Sequence, residues 1–266
     1  MVTKLFKYEI RSLGRTMLPI WGVLGGIALL TRLIRFFESE STVYGVVFGS
    51  AVVALSLGII AVAAMTVVTV IRRFYCNLYT AEGYLSFTLP VTPFQHISVK
   101  FWTAMLFTAA SAVVAFAAFC VAFSGELLVE MWRVAIYYCR QMIEAAGPGR
   151  FVLYAVEFAL IALCAAATFY LLVYACIAVG QMAKKNKILA AVGVYFAYYF
   201  ATQILGTILI VFMIVLDGSA FMLAINDFIN DYPNAALAIG IGYYLAQCAI
   251  FFGVTNVITY KKLNLE

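Results

Sequence analysis

A chain of 266 residues that is 66% hydrophobic and only 11% charged cannot fold as a water-soluble domain. Soluble domains hold about 45–50% apolar and roughly 25% charged residues, so the excess apolar surface must meet lipid. The net charge of +5 is spread thinly and, as shown below, unevenly.

The first 16 residues carry Lys4, Lys7, Arg11 and Arg15. The apolar stretch behind them lacks the small-residue cleavage site of a secretory signal, so it is expected to be a retained first span. Phe6, Ile10, Leu13 and Met17 recur at helical spacing, with the basic side chains on another face. That pattern predicts an N-terminal amphipathic helix in the membrane interface; an ordinary basic flank of the first span is the alternative. A span needs about 20 mostly apolar residues to cross ~30 Å of hydrocarbon. Such stretches fall near 17–36, 43–71, 100–123, 151–181, 188–216 and 234–259. The predicted fold class is all-α: a polytopic membrane helical bundle of six transmembrane helices, forming a single domain over 1–266.

Charge gives this bundle a direction. The N-terminus, 72–100, 182–187 and the C-terminus hold Lys4, Lys7, Arg11, Arg15, Arg72, Arg73, Lys100, Lys184, Lys185, Lys187, Lys261 and Lys262 against Glu9, Glu82 and Glu266. The opposite loops hold five arginines (32, 35, 133, 140, 150) against eight acids (38, 40, 126, 130, 144, 217, 227, 231). Lys and Arg concentrate on the cytoplasmic side of membrane proteins. Both termini are therefore expected in the cytoplasm, and the chain in a bacterial cytoplasmic membrane. Arg32 and Arg35, near the end of the first span, are expected to snorkel to the headgroups.

On the other side, 124–150 is too polar to span and predicts a surface helix that stops at Gly147-Pro148-Gly149. Residues 217–233, with Phe221, Ile225, Phe228 and Ile229 among aspartates, predict a short amphipathic helix dipping into the outer leaflet. The six cysteines form no CxxC pair and mostly lie in apolar stretches, where a thiol acts as a small hydrophobe. With His96 as the single histidine, no histidine-based metal cluster can be built.

The most informative segment is RRFYCNLYTAEGYLSFTLPVTPFQHISVKFW, 72–102, on the basic side. A short helix is expected over 74–81, a break at Glu82-Gly83, an extended corner at Leu89-Pro90, and a new helix capped by Thr92, with Pro93 in its first turn and Gln95 closing a capping box. The segment also carries Phe74, Tyr75, Leu78, Tyr79, Tyr84, Leu85, Phe87 and Leu89. Apolar surface outside the membrane marks a protein contact; packing on the chain's own spans is the other reading.

Glu82, Gly83, Leu89, Pro90, Thr92 and Lys100 resemble the run between spans two and three in type-2 permease subunits of ATP-binding-cassette exporters. The resemblance extends in layout to six spans, a basic N-terminal interfacial helix and an amphipathic segment before span six. It differs in charge, because only Glu82 and Arg72-Arg73 stand where many relatives carry a denser cluster. The resemblance implies that 72–99 is a coupling segment docking on a separate cytoplasmic ATPase, with Tyr79, Glu82, Gly83, Leu85, Leu89, Pro90 and Thr92 carrying the contact. It further implies a second permease copy or paralogue, the lipid bilayer as the other partner, and no nucleic acid.

The chain has no GxxxxGK[ST] loop, HExxH or GxSxG. No enzymatic activity and no cofactor are expected in the chain itself, with ATP and Mg on the partner ATPase. Glu157 is the one acid placed within a span, and intramembrane acids default to function; substrate or proton handling and pairing with Arg150 both stay open. Gln203, with Gln247 and Asn256, can bond across helices as packing glue or line a transport path. The expected function is the permease subunit of an ATP-driven exporter. The alternative is a non-transporting scaffold, sensor or immunity protein that binds a cytoplasmic partner through 72–99.

Overall fold

The fold is described from a computed structural model. It covers residues 2–37, 41–80, 83, 91–183 and 185–261, apart from the side chains of 126, 145–146, 216–222, 224–225, 229–230 and 261. Seven long helices run through these residues. They are α1 (Val2–Phe36), α2 (Thr42–Tyr79), α3 (Pro93–Ala122), α4 (Glu126–Ala146), α5 (Pro148–Gly180), α6 (Lys187–Asp231) and α7 (Pro233–Lys261). All but α4 are long and apolar enough to cross a membrane.

Local chemistry sets several ends. Prolines open α3, α5 and α7, where a fixed φ suits the first turn and the missing N–H has no partner to lose. The surface helix expected in 124–150 is α4, and Gly147 ends it with φ 84° and an N–H donated to the Ile143 carbonyl at 2.8 Å.

Three elements expected to be separate are parts of longer helices. The N-terminal amphipathic stretch and the first span are one helix, α1, which even Pro19 does not end. The helix expected at 74–81 is, as far as Tyr79, the last part of α2, and the segment expected at 217–233 extends α6 to Asp231. At 1.5 Å per residue, the 38 residues of α2 and the 45 of α6 reach ~57 and ~68 Å. The physical reason is common to all three. A break near lipid strands backbone N–H and C=O groups, and a lone glycine such as Gly218 costs only about 1 kcal/mol in a helix.

The chain forms two compact units, Met1–Phe74 with Gln95–Gly147, and Tyr75–Phe94 with Pro148–Glu266. In the first, α1, α2 and α3 interlock in register. Lys100 meets Glu9, Ser111 meets Trp21 and Ser124 meets Arg35, at separations of 91, 90 and 89 residues, so α3 runs parallel to α1. Leu24, Ala28, Leu55, Val62, Ala118 and Ala122 form the core at one end, and Leu13, Met17 and Phe107 continue it toward the other. Between them Trp21 stacks on Phe107 with centroids 5.9 Å apart, while its Nε1 donates to Ser111 Oγ at 3.1 Å. Ser111 and Thr66 hydroxyls bond at 2.8 Å. Apolar burial adds little between helices in lipid, so close packing and such polar contacts hold them together. Arg35 reaches the Ser124 carbonyl at 3.3 Å rather than only the headgroups.

In the second unit α5 packs along α7 and α6. Thr168 Oγ1 lies 3.3 Å from the Tyr244 carbonyl and 3.2 Å from Cys248 Sγ. The turn into α6 is tight: Asn186 takes a left-handed φ of 52°, and a Cβ on Gly180 would lie 2.6 Å from the Ala191 nitrogen.

Candidate functional site

The strongest polar constellation in the first unit starts from a sequence anomaly, an acid within the apolar stripe of a basic helix. Glu9 lies three residues after Phe6 and four before Leu13, so helical spacing turns it inward with them. Glu9 accepts a bidentate pair from Arg73, Nε at 2.8 Å and Nη2 at 3.2 Å, and a third bond from Lys100 Nζ at 3.0 Å. Arg73 also donates to Ser12 Oγ. The Glu9 and Lys100 side chains are 9% and 8% exposed, and Arg73 keeps 24%. One carboxylate therefore joins α1, α2 and α3, and Arg73 keeps more contact with solvent than Lys100.

Glu9 lies in the part of α1 that precedes the apolar stretch. Burial opposes its charge, but the Lys100 ammonium and the Arg73 guanidinium outweigh that and hold the carboxyl below its ordinary 4.5. Sequence reading missed this site because it counted Glu9 only in the charge tally. The acid in the apolar stripe was the available signal.

The expected coupling residues divide into described and undescribed. Glu82, Leu85, Leu89 and Pro90 lie outside the described residues. Tyr79, at the last position of α2, is buried, and its hydroxyl bonds Thr259 Oγ1 on α7 at 2.8 Å. Gly83 is buried and donates its N–H to the Thr80 carbonyl at 2.7 Å. Thr92 is exposed immediately before α3. Two residues on, the Phe94 ring meets Phe252 of α7 edge-on at 5.1 Å. Both flanks of the segment are thus seated on the last helix within the second unit. Beside them Tyr75, Asn186, Lys187, Ile188, Leu189 and Val192 line an open groove.

The two intramembrane candidates separate. Gln203 is exposed on α6, where its backbone carbonyl accepts a bond from Thr207 Oγ1 at 2.9 Å. Gln247 fulfils the cross-helix role, donating Nε2 to the Tyr198 hydroxyl at 3.3 Å. On α5, Glu157 Oε2 is enclosed without a hydrogen-bond partner among the described residues, as is Asn234 Oδ1 on α7. Eleven residues, three helical turns, separate Glu157 from Thr168, so both share the face turned to α7. No three His, Cys, Asp or Glu side chains converge among the described residues.

No family model, curated protein or solved structure matches this chain.

Proposed function

We propose that the protein is the permease subunit of an ATP-driven exporter, coupling a separate cytoplasmic ATPase to substrate movement across the membrane. The single observation that carries this reading is the seating of both flanks of the 72–99 segment on one helix. Its flanks are tied to α7 through Tyr79–Thr259 and Phe94–Phe252. An element that receives a push must be anchored on both sides, because a loop free at either end absorbs displacement instead of passing it to the helices. Six helices able to span a membrane supply the rest of the machinery, in a membrane where the basic side, and so this segment, faces the cytoplasm.

Co-expression with candidate ATPases, affinity capture and vesicle transport test the proposal. Glu82→Lys and Leu89→Asp, each still inserted in the membrane, are expected to lose the complex and with it transport. Normal binding and transport by both variants overturn the coupling assignment. ATP hydrolysis by a reconstituted complex without solute movement would instead identify the segment as the dock of a non-transporting scaffold or sensor.

A further inference from the structure

Among the described helices, α4 is set apart because it is not apolar enough to cross a membrane and yet leaves nearly all its apolar side chains exposed. Of its apolar side chains described, only Leu128 and Ile143 are even half-buried; Trp132, Tyr138 and Met142 are all more than half exposed. At 100° per residue, Glu130, Arg133, Arg140, Gln141 and Glu144 fall within a sector of about 100° that also holds Tyr137, and the other apolar residues fill the remainder. Such a helix cannot stand in water without leaving a large apolar face uncovered.

The chain itself says what covers that face. Three residues, Phe123–Gly125, join α4 to the end of α3, and Gly147 alone joins it to the start of α5. Both neighbours are long and apolar enough to cross a membrane. Gly125 and Gly147, with φ of 119° and 84°, take backbone conformations that end helical geometry on either side of α4. Tethers of one and three residues, at most ~3.5 Å each, hold α4 at the ends of two spans, where hydrocarbon gives way to headgroups.

We propose that α4 is an interfacial lipid-binding helix, lying in the bilayer surface with its Trp132–Tyr138–Met142 face in the acyl chains and its Arg133–Gln141 face in water. Its described polar stripe carries two acids and two arginines. Apolar area and aromatic side chains therefore drive the insertion, without a preference for anionic headgroups. The inference is independent of any transport role.

Native Cys139 is a probe on the apolar face, exposed to whatever covers it. The protein in phosphatidylcholine nanodiscs is treated with a water-soluble, membrane-impermeant maleimide, and modification of the α4 peptide is followed by mass spectrometry. Cys139 is expected to react at least about tenfold more slowly than Gln141→Cys in a Cys139→Ser background, because only one of the two thiols meets water. Equal fast rates overturn the proposal by placing α4 in water. Equal slow rates overturn it by showing that protein covers both faces. Protection of Cys139 must persist in high salt and without phosphatidylglycerol; protection that appears only with the anionic lipid also overturns it. A Trp21→Phe, Trp102→Phe variant isolates Trp132, whose fluorescence brominated phosphatidylcholine is expected to quench. Unquenched emission refutes the placement, and the native Cys139 rate decides it if that variant does not fold.

Discussion

Replacing Glu9 by glutamine tests whether the three-helix ion cluster holds the first unit together. At 3.0 Å the Glu9–Lys100 attraction is on the order of 5 kcal/mol at an effective dielectric of ~20. Desolvation of the ions offsets part of it. Removing the carboxylate leaves Lys100 charged and 8% exposed, while Arg73 can turn its guanidinium toward water. Breaking a buried pair from one side costs about 3–5 kcal/mol; with Arg73 partly solvated, the lower end, about 3 kcal/mol, applies. For a chain of this size 1 kcal/mol corresponds to roughly 2–4 °C, so Glu9→Gln is expected to melt roughly 6–12 °C below the parent in nanodiscs. Lys100→Met, which leaves the Arg73 pair intact, is expected to lose less. The double variant removes both the acid and the buried ammonium it pairs with, so it is expected to be more stable than the sum of single losses by about 2 kcal/mol. Strict additivity, or a Glu9→Gln melt within a degree of the parent, refutes the reasoning.

Three further outcomes follow from named contacts. The Glu9 carboxyl is held below its ordinary 4.5 in the folded protein, so its contribution is complete above that value and disappears as pH falls through the lower folded value. The melting difference between parent and Glu9→Gln is therefore expected to shrink below pH ~4.5, and a constant gap down to pH ~3 contradicts this. Gly180→Ala drives a Cβ into the Ala191 backbone, whereas Gly58→Ala meets only side-chain methyls, of Leu24 at 3.1 Å and Ile27 at 3.5 Å. The first is expected to lose about 1–3 kcal/mol in thermal melts and the second much less; equal losses contradict the tight turn into α6. Tyr79→Phe removes the bond to Thr259 and is expected to cost about 1 kcal/mol in the same melts; adding Thr259→Val is expected to cost less than it does in the parent, because only its bond to the Thr255 carbonyl is then left to lose.

The sequence by itself determined the features that are sums over neighbours. Six apolar stretches, the non-spanning α4 with its stop at Gly147, and the start of α3 at Pro93 were legible because hydropathy, proline and glycine act locally. Helix ends without such punctuation were not: nothing within residues 16–17 or 71–74 says whether the helix continues, and α1 and α2 run straight through. Only the tertiary structure decided which polar groups meet. Glu9 pairs with residues 64 and 91 positions away, and Tyr79 with one 180 away. These meetings depend on the register of packed helices, set by the fit of Leu13, Met17 and Phe107 or of α5 along α7. Periodicity shows which face of a helix turns inward, but the height at which that face meets its neighbour is decided only when the helices pack.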